Sequence, residues 1–312
     1  MIDDPETTGT ILGDPVLRVR DTLMIPEGIL APGGEEVLKP RGGRAAVAET
    51  TTRFRTSTLR IWKAAHTVFS LDAWEGVPWA VWQTDSARDA EVLSEFAGRL
   101  CYQSWSNPSG RSNEQYLRNI LAQEHFSVVE HAGFTVVLLG VSRSCTHELV
   151  RHRHFSFSQL SQRFYNEEDA AVVVPPLFRD DPEALQVLEE VYATTQRAYR
   201  RLVELAQRKL SALDDRRMRR KRAREAARCV LPNMTETHIV VTGNHRSWRE
   251  FFEKRGSLHA DAEIREVAVR IFTEVAQPLA PHLYQDFQVI THELPTGEQI
   301  QTLERRRLDL ED

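Results

Sequence analysis

Thirteen consecutive residues, Arg151-His152-Arg153-His154-Phe155-Ser156-Phe157-Ser158-Gln159-Leu160-Ser161-Gln162-Arg163, hold three arginines, two histidines, two amides and three hydroxyls. Most of these groups donate hydrogen bonds, and guanidiniums do so as planar forks that match phosphate or carboxylate. Such a segment is suited to an anionic ligand. Phe155, Phe157 and Leu160 interleave with the polar groups, which places the segment partly inside the fold. The bland alternative is a basic surface loop.

Other chemistry-bearing patterns are weaker. The run Arg216-Arg217-Met218-Arg219-Arg220-Lys221-Arg222-Ala223-Arg224 spreads charge around a helix, so it reads as a solvated face before a nucleic-acid patch. Arg228 differs, because Ala226-Ala227 and Cys229-Val230-Leu231 flank it and predict an inward-pointing guanidinium that needs an anionic partner. His125, His131, His147, His152, His154 and Cys145 lie close in sequence, yet no HExxH or CxxC spacing joins them as zinc ligands. GxGxxG, GxxxxGK[ST] and GxSxG are all missing. Ser161 has Leu160 and Gln162 as neighbours rather than a base, so it acts as a nucleophile only if the fold brings His152 close.

The elements that must position the motif follow from periodicity. Residues 1–55 carry Gly, Pro, Thr and Glu without a sustained period and read as an irregular extension, with Val16-Leu17-Arg18-Val19 as a short strand patch. Residues 59–82 turn apolar and aromatic, with Trp62, Trp74, Trp79 and Trp82, and begin the ordered part. Helices are expected over 89–105 and from 113 to about 123, then a buried strand over 134–141. Ser142 caps a helix from 143 to about 151, which sets the motif where a helix following a core strand ends. Further helices are predicted over 182–210, 216–228, 244–254 and 260–276, with a second strand over 237–242. A weak internal similarity relates 136–151 to 239–255: strand, tight turn, helix, with arginines at both helix ends. Two such units could present arginines to one site.

The length of 312 residues allows one large or two ordinary domains. The net charge of −5 excludes a globally basic polyanion binder, so an anion site must be local. No apolar run reaches the roughly eighteen residues of a membrane span, and the acidic N-terminus has no hydrophobic signal core. Three cysteines, Cys101, Cys145 and Cys229, form no pairing pattern and read as reduced thiols of a cytoplasmic protein.

The motif fits RHRxxSxxxxSxR without a mismatch and resembles the signature of the flavin-dependent thymidylate synthases. Residues 124–131 (Glu-His-Phe-Ser-Val-Val-Glu-His), 226–233 (Ala-Ala-Arg-Cys-Val-Leu-Pro-Asn), Asn244-His245-Arg246-Ser247-Trp248, Lys254-Arg255 and His259-Ala260 continue the likeness in order, over roughly 85–290. The resemblance implies a mixed α/β (α+β) domain over 85–295, a central sheet flanked by helices, assembling as a homotetramer with shared sites. Residues 56–84 then join the extension to the core, and 296–312 form a tail. It also implies conversion of dUMP to dTMP, with methylenetetrahydrofolate as one-carbon donor and FAD, reduced by NADPH, as hydride donor.

By the same resemblance, FAD would be held by Ser127, Arg151, His152, Arg153, Gln159, Asn244, His245, Arg246 and Glu250. The dUMP would touch Glu148, Leu149, Val150 and Arg151, then Gln159, Leu160, Ser161, Gln162 and Arg163, with Arg228 and Arg255. His125 and His259 are further candidates for the flavin or folate. Arg255 is the expected catalytic group, stabilising charge on the pyrimidine so that C5 becomes nucleophilic, while Ser161 holds the nucleotide. Gln159 stands where many members have glutamate, and Glu148 where some have glutamine. Two competing functions remain: a single-stranded nucleic-acid binding module, and a silent relative that binds without turnover.

Overall fold

The computed structural model describes residues 54–71, 75–107 and 109–309. The N-terminal extension, with its strand patch at 16–19, lies outside them apart from its last two residues, as does Trp74. Alternation decides the central strand β2 (Gly133–Ser142): Phe134, Val136 and Leu138 are buried, while Thr135, Val137 and Leu139 face the half-exposed side. Ser142 ends it and caps α3 (Arg143–Leu149), its Oγ accepting from the Cys145 N–H at 2.9 Å.

The second predicted unit has the same construction. Strand β4 (Glu236–Asn244) runs antiparallel to β2, with Val136 opposite Val241 and Leu138 opposite Ile239. Asn244 caps α6 (His245–Arg255), accepting from the Ser247 N–H at 2.8 Å. Because β2 and β4 are antiparallel, α3 and α6 leave from opposite ends of the sheet, and their C-terminal ends meet. The internal similarity therefore brings two helix ends to one place.

The sheet order is β1-β2-β4-β3, with β1 (Arg60–His66) and β3 (Ser156–Gln159) on the edges. Strand β1 comes from the 56–84 segment, and the chain just before it passes so close to Gly140 (φ +74°) that an added Cβ would lie 2.1 Å from the Thr58 carbonyl oxygen. Trp248, Phe251 and Phe252 of α6, with Ile264, Val267 and Ile271 of α7 (Ala262–Ile271), fill the core against the sheet. At the sheet's other side in sequence, α1 (Asp89–Tyr102) and α2 (Asn113–Ala122) are joined through buried Glu95, which accepts from Arg99 Nε at 2.7 Å and Asn113 Nδ2 at 2.8 Å.

Helices α4 (Pro182–Lys209) and α5 (Arg216–Ala227) form a hairpin with a small core of Tyr199, Val203, Ala223 and Ala227. The chain closes with strands β5 (Phe287–Glu293) and β6 (Gln299–Arg305), so the stretch expected as a tail from 296 contains a paired strand. No helix among the described residues is long and apolar enough to cross a membrane.

Candidate active site

The motif holds a short strand between two irregular stretches. It begins at the end of α3, turns at residues 150–155, and then becomes β3, whose Phe157 and Gln159 pair with Val241 and Ile239 of β4. Phe155 is the anchor: its ring lies over Gly243, where an added Cβ would sit 2.4 Å away, and 4.4 Å from Trp248 between ring centres. Burying this one ring fixes the polar residues on either side of it.

Those residues and the last turns of α6 enclose a cavity of about 330 Å³, with Arg151 to Phe155 on one wall and Ser247, Glu250, Lys254 and Arg255 on the other. A larger cavity of about 580 Å³ lies by Leu59, Arg179, Glu263, Arg270 and Ile300, away from the motif. Two of its guanidiniums are engaged by carboxylates, Arg179 by Glu266 at 2.7 Å and Arg270 by Glu274 at 2.6 Å. None of the motif's residues lines the larger cavity, whereas Arg151 to Phe155 line the smaller one.

Arg255 lies where α3 and α6 converge. Its Nη1 donates to Glu148 Oε2 at 2.5 Å and its Nε to His152 Nε2 at 3.1 Å. Burial, and then the Arg255 charge, pull the His152 pKa down to about 4, so the imidazole is neutral and its accepting Nε2 carries no proton. This arrangement fixes the guanidinium plane and leaves Nη2 without a hydrogen bond among the described residues. Lys254 pairs with Glu250 at 2.5 Å, which holds that carboxyl below its usual range.

Gln159, on β3, donates to Thr146 Oγ1 of α3 at 2.9 Å and more weakly to Thr237 Oγ1 of β4 at 3.5 Å. An amide suits this place because it donates to both hydroxyls and keeps its oxygen as an acceptor. Leu160 is held by its carbonyl, which accepts from Arg143 Nη2 at 2.8 Å. Arg163 Nη2 pairs with Glu225 of α5 at 2.7 Å, and Arg224 Nη1 donates to the Phe164 carbonyl at 2.5 Å, tying the end of the motif to the helical hairpin.

The other expected positions divide by exposure. Ser127, Val150, Arg151 and Arg153 are exposed, Ser161 and Gln162 half-buried, and Leu149 fully buried, so its side chain offers no surface to a ligand. Arg246 is exposed and ion-paired to Glu130, which joins the turn carrying Ser127 to α6. Asn244 is half-buried and spends its side-chain oxygen on the α6 cap. His245 has only 1% of its surface exposed; its Nδ1 lies 2.7 Å from Tyr284 Oη, and burial pulls its pKa down to about 3. Its ring offers no surface to a ligand in this chain. Arg228, expected to point inward, is exposed: it sits on a short 3-10 turn after α5, and Ala227 rather than the guanidinium enters the core.

Among the described residues no base bonds Ser161: its Oγ accepts only weakly from the Arg163 N–H at 3.4 Å, and His152 bonds to Arg255 instead. Cys145 is buried with its thiol pKa pushed well up by desolvation, which disfavours the thiolate. Sequence reasoning missed Arg143 as the clamp on Leu160, and missed the carboxylates Glu130 and Glu225. For Arg143 the signal was its place in the internal similarity; for the carboxylates, no spacing rule links residues on separate elements.

The geometry can be set beside known proteins. Residues 84–282 match the family model described as thymidylate synthase complementing protein. A flavin-dependent thymidylate synthase of Mycobacteroides abscessus is 51% identical over 212 residues, covering 67% of this chain and 84% of the relative. One from Mycobacterium tuberculosis is 47% identical over 249 residues, covering 79% and 96%. Among solved structures, a UMP/dUMP methylase from Streptomyces cacaoi, bound with 5-Br dUMP, superposes with a TM-score of 0.53 at 20% identity, over 75% of this chain and 97% of that one. That likeness is one of fold.

Proposed function

The chain belongs to the flavin-dependent thymidylate synthase family, and from that membership we propose that it methylates dUMP to dTMP with methylenetetrahydrofolate as one-carbon donor and FAD, re-reduced by NADPH, as hydride carrier. The observation that carries the reading is Arg255, locked between a neutral His152 and Glu148 at the mouth of a cavity walled by the motif.

The donor set fits a flavin dinucleotide. Arg151 and Arg153 are exposed guanidiniums without an ion pair among the described residues, as a pyrophosphate requires, and His152 and Glu250 line the same cavity, while Ser127, Gln159 and Arg246 would add polar groups from outside that lining. Asn244 and His245 enter through the helix cap and the backbone. When bound, the flavin supplies the hydride that completes the methyl group. A cavity of 330 Å³ is at the small end for ligand sites, so one chain encloses only part of a dinucleotide. This supports a homotetramer in which neighbours complete each site around the 85–295 catalytic domain.

For the nucleotide, Arg163 and Arg228 supply forks for the phosphate, and the backbone at 148–151 with Gln159 to Gln162 supplies the remaining contacts. Arg255 directs its Nη2 at the pyrimidine O4 and N3, where negative charge grows as C5 attacks. A fixed charge of this kind in a water-poor site lowers a barrier by about 3–4 kcal/mol. Because His152 is neutral, it accepts from Arg255 without competing for that developing charge. Ser161 binds rather than attacks. The enzyme would work in the cytoplasm, where its three free thiols stay reduced.

The test is the visible spectrum of purified protein during anaerobic reduction with NADPH and addition of both substrates. Yellow protein that bleaches, reoxidises only with dUMP and methylenetetrahydrofolate, and yields dTMP supports the reading. Bound flavin without reoxidation marks a silent relative. Colourless protein that takes up no FAD and binds oligonucleotides in a salt-sensitive way would return the nucleic-acid module.

A further inference from the structure

Four of the cations around the motif already hold a carboxylate of the same chain. Arg255 holds Glu148, Lys254 holds Glu250, Arg246 holds Glu130, and Arg163 holds Glu225. The last pair differs in origin, because Glu225 comes from the α4–α5 hairpin and not from the sheet-and-helix core that builds the cavity. Its side chain and that of Arg163 are 44% and 41% exposed, while Arg163 Nε is buried and has no hydrogen-bond partner among the described residues. One edge of the guanidinium is therefore spent on Glu225, and the fork is not free to meet a phosphate with both of its parallel N–H groups.

We propose that Glu225 is a specificity-determining residue for the nucleotide: it occupies Arg163 in the resting enzyme, is displaced by the phosphate of dUMP, and then limits how much negative charge the pocket accepts. The proposal rests on the assignment of Arg163 to the phosphate. An exposed ion pair is weak and costs little to open. A guanidinium–phosphate fork is charge-assisted and bidentate, so a phosphate dianion wins the exchange. Once displaced, the Glu225 carboxylate remains on α5 beside the phosphate, one turn before Arg228. There it weakens binding of every phosphate ligand, and it weakens di- and triphosphates most, because they carry more charge.

The experiment is Glu225→Gln in the FAD-loaded enzyme. Measured are kcat and KM for dUMP, direct dUMP binding by calorimetry, and inhibition by dUTP and by inorganic phosphate. Glutamine keeps the length and the helix, and the residue is exposed, so the variant folds. The expected result is a KM for dUMP lowered about two- to fivefold, as an exposed charge pair allows, with kcat unchanged. Inhibition by dUTP should strengthen more than dUMP binding does.

A KM that rises, and that Glu225→Asp restores, would show that Glu225 holds Arg163 in place, and would overturn the proposal. An unchanged KM with unchanged dUTP inhibition would make the pair an ordinary solvated contact and also overturn it. Failure of the functional reading looks different: the parent enzyme would neither bind dUMP nor turn it over.

Discussion

Arg255 and His152 are 103 residues apart in sequence, yet Arg255 Nε donates to His152 Nε2 at 3.1 Å. The bond is possible only because α3 and α6 start at opposite ends of one antiparallel strand pair and converge at their far ends. Burial, helped by the Arg255 charge, keeps the imidazole neutral, and the bond orients the guanidinium, so the positive charge of this pair belongs to Arg255 and is partly offset by Glu148.

Arg255→Ala should therefore abolish turnover, with a loss of about 10²–10³ in kcat or more, as removal of a preorganised charge donor produces. The side chain is part-exposed, so thermal unfolding should change little. Ser161→Ala should leave measurable turnover, because no group bonded to Ser161 can take its proton. Steady-state dTMP formation checks both. A dead Ser161→Ala enzyme that still binds dUMP would reinstate covalent catalysis and displace the role given to Arg255.

Most of this site could be read from the sequence because its parts are local. The polar run, Ser142 as helix cap and the apolar alternation of 134–141 each reflect neighbours in the chain, and the structure has strand and helix there. Strand β3 was hidden because Ser156-Phe157-Ser158-Gln159 is only four residues long and sits among arginines, although it alternates like a strand. The β5–β6 hairpin had a signal too, since Gly297 (φ +82°) marks its turn, but polar strands of low burial resemble a tail. Ion pairs such as Arg163 with Glu225 depend on how α5 docks, which no local pattern encodes. The orientation of Arg228 failed for a related reason: flanking alanines predict that some residue of the turn is buried, not which one.

Glu167 carries a prediction about stability between about pH 4.5 and 7. It is 1% exposed, neither carboxyl oxygen has a hydrogen-bond partner among the described residues, and burial pushes its pKa up to about 7 against the partial pull of Arg143. The folded protein thus keeps a proton that the unfolded chain releases above about 4.5. Stability is lost as pH rises from there toward 7, at about 1.4 kcal/mol per unit, and levels off once the folded form ionises. Glu167→Gln should match the parent near pH 4.5 and exceed it by about 2–3 kcal/mol at pH 8. Urea unfolding at the two pH values decides it; an equal gap at both would show that Glu167 is not the titrating group.

His245 acts in the opposite sense. Its pKa falls from 6.5 to about 3 through burial, so on acidification the unfolded chain gains a proton that the folded one refuses. Stability should drop as pH falls below 6.5, by about 1.4 kcal/mol per unit, until about pH 3. His245→Gln, neutral throughout, should flatten this slope between pH 6.5 and 5 even if it lowers stability overall by loosening the bond to Tyr284. Melting temperatures across that range test it, and an unaltered slope would assign the acid sensitivity to other groups.

Asp286 is the anchor beneath the turn that carries Ser127. It is 1% exposed and receives both Nη groups of Arg249, at 2.8 and 2.5 Å, and Arg305 Nε at 3.0 Å. Those two guanidiniums cover the ring of Phe126, at 5.3 and 5.0 Å from its centre, and Phe126 begins the turn that carries Ser127. Asp286→Ala leaves Arg249 buried without its counter-charge, a change that costs about 3–5 kcal/mol. The variant should unfold at clearly lower denaturant and, while still folded, lose flavin faster on dilution than the parent. If stability falls but flavin retention is unchanged, the network supports the β5–β6 hairpin alone and the turn at Ser127 is held independently of it.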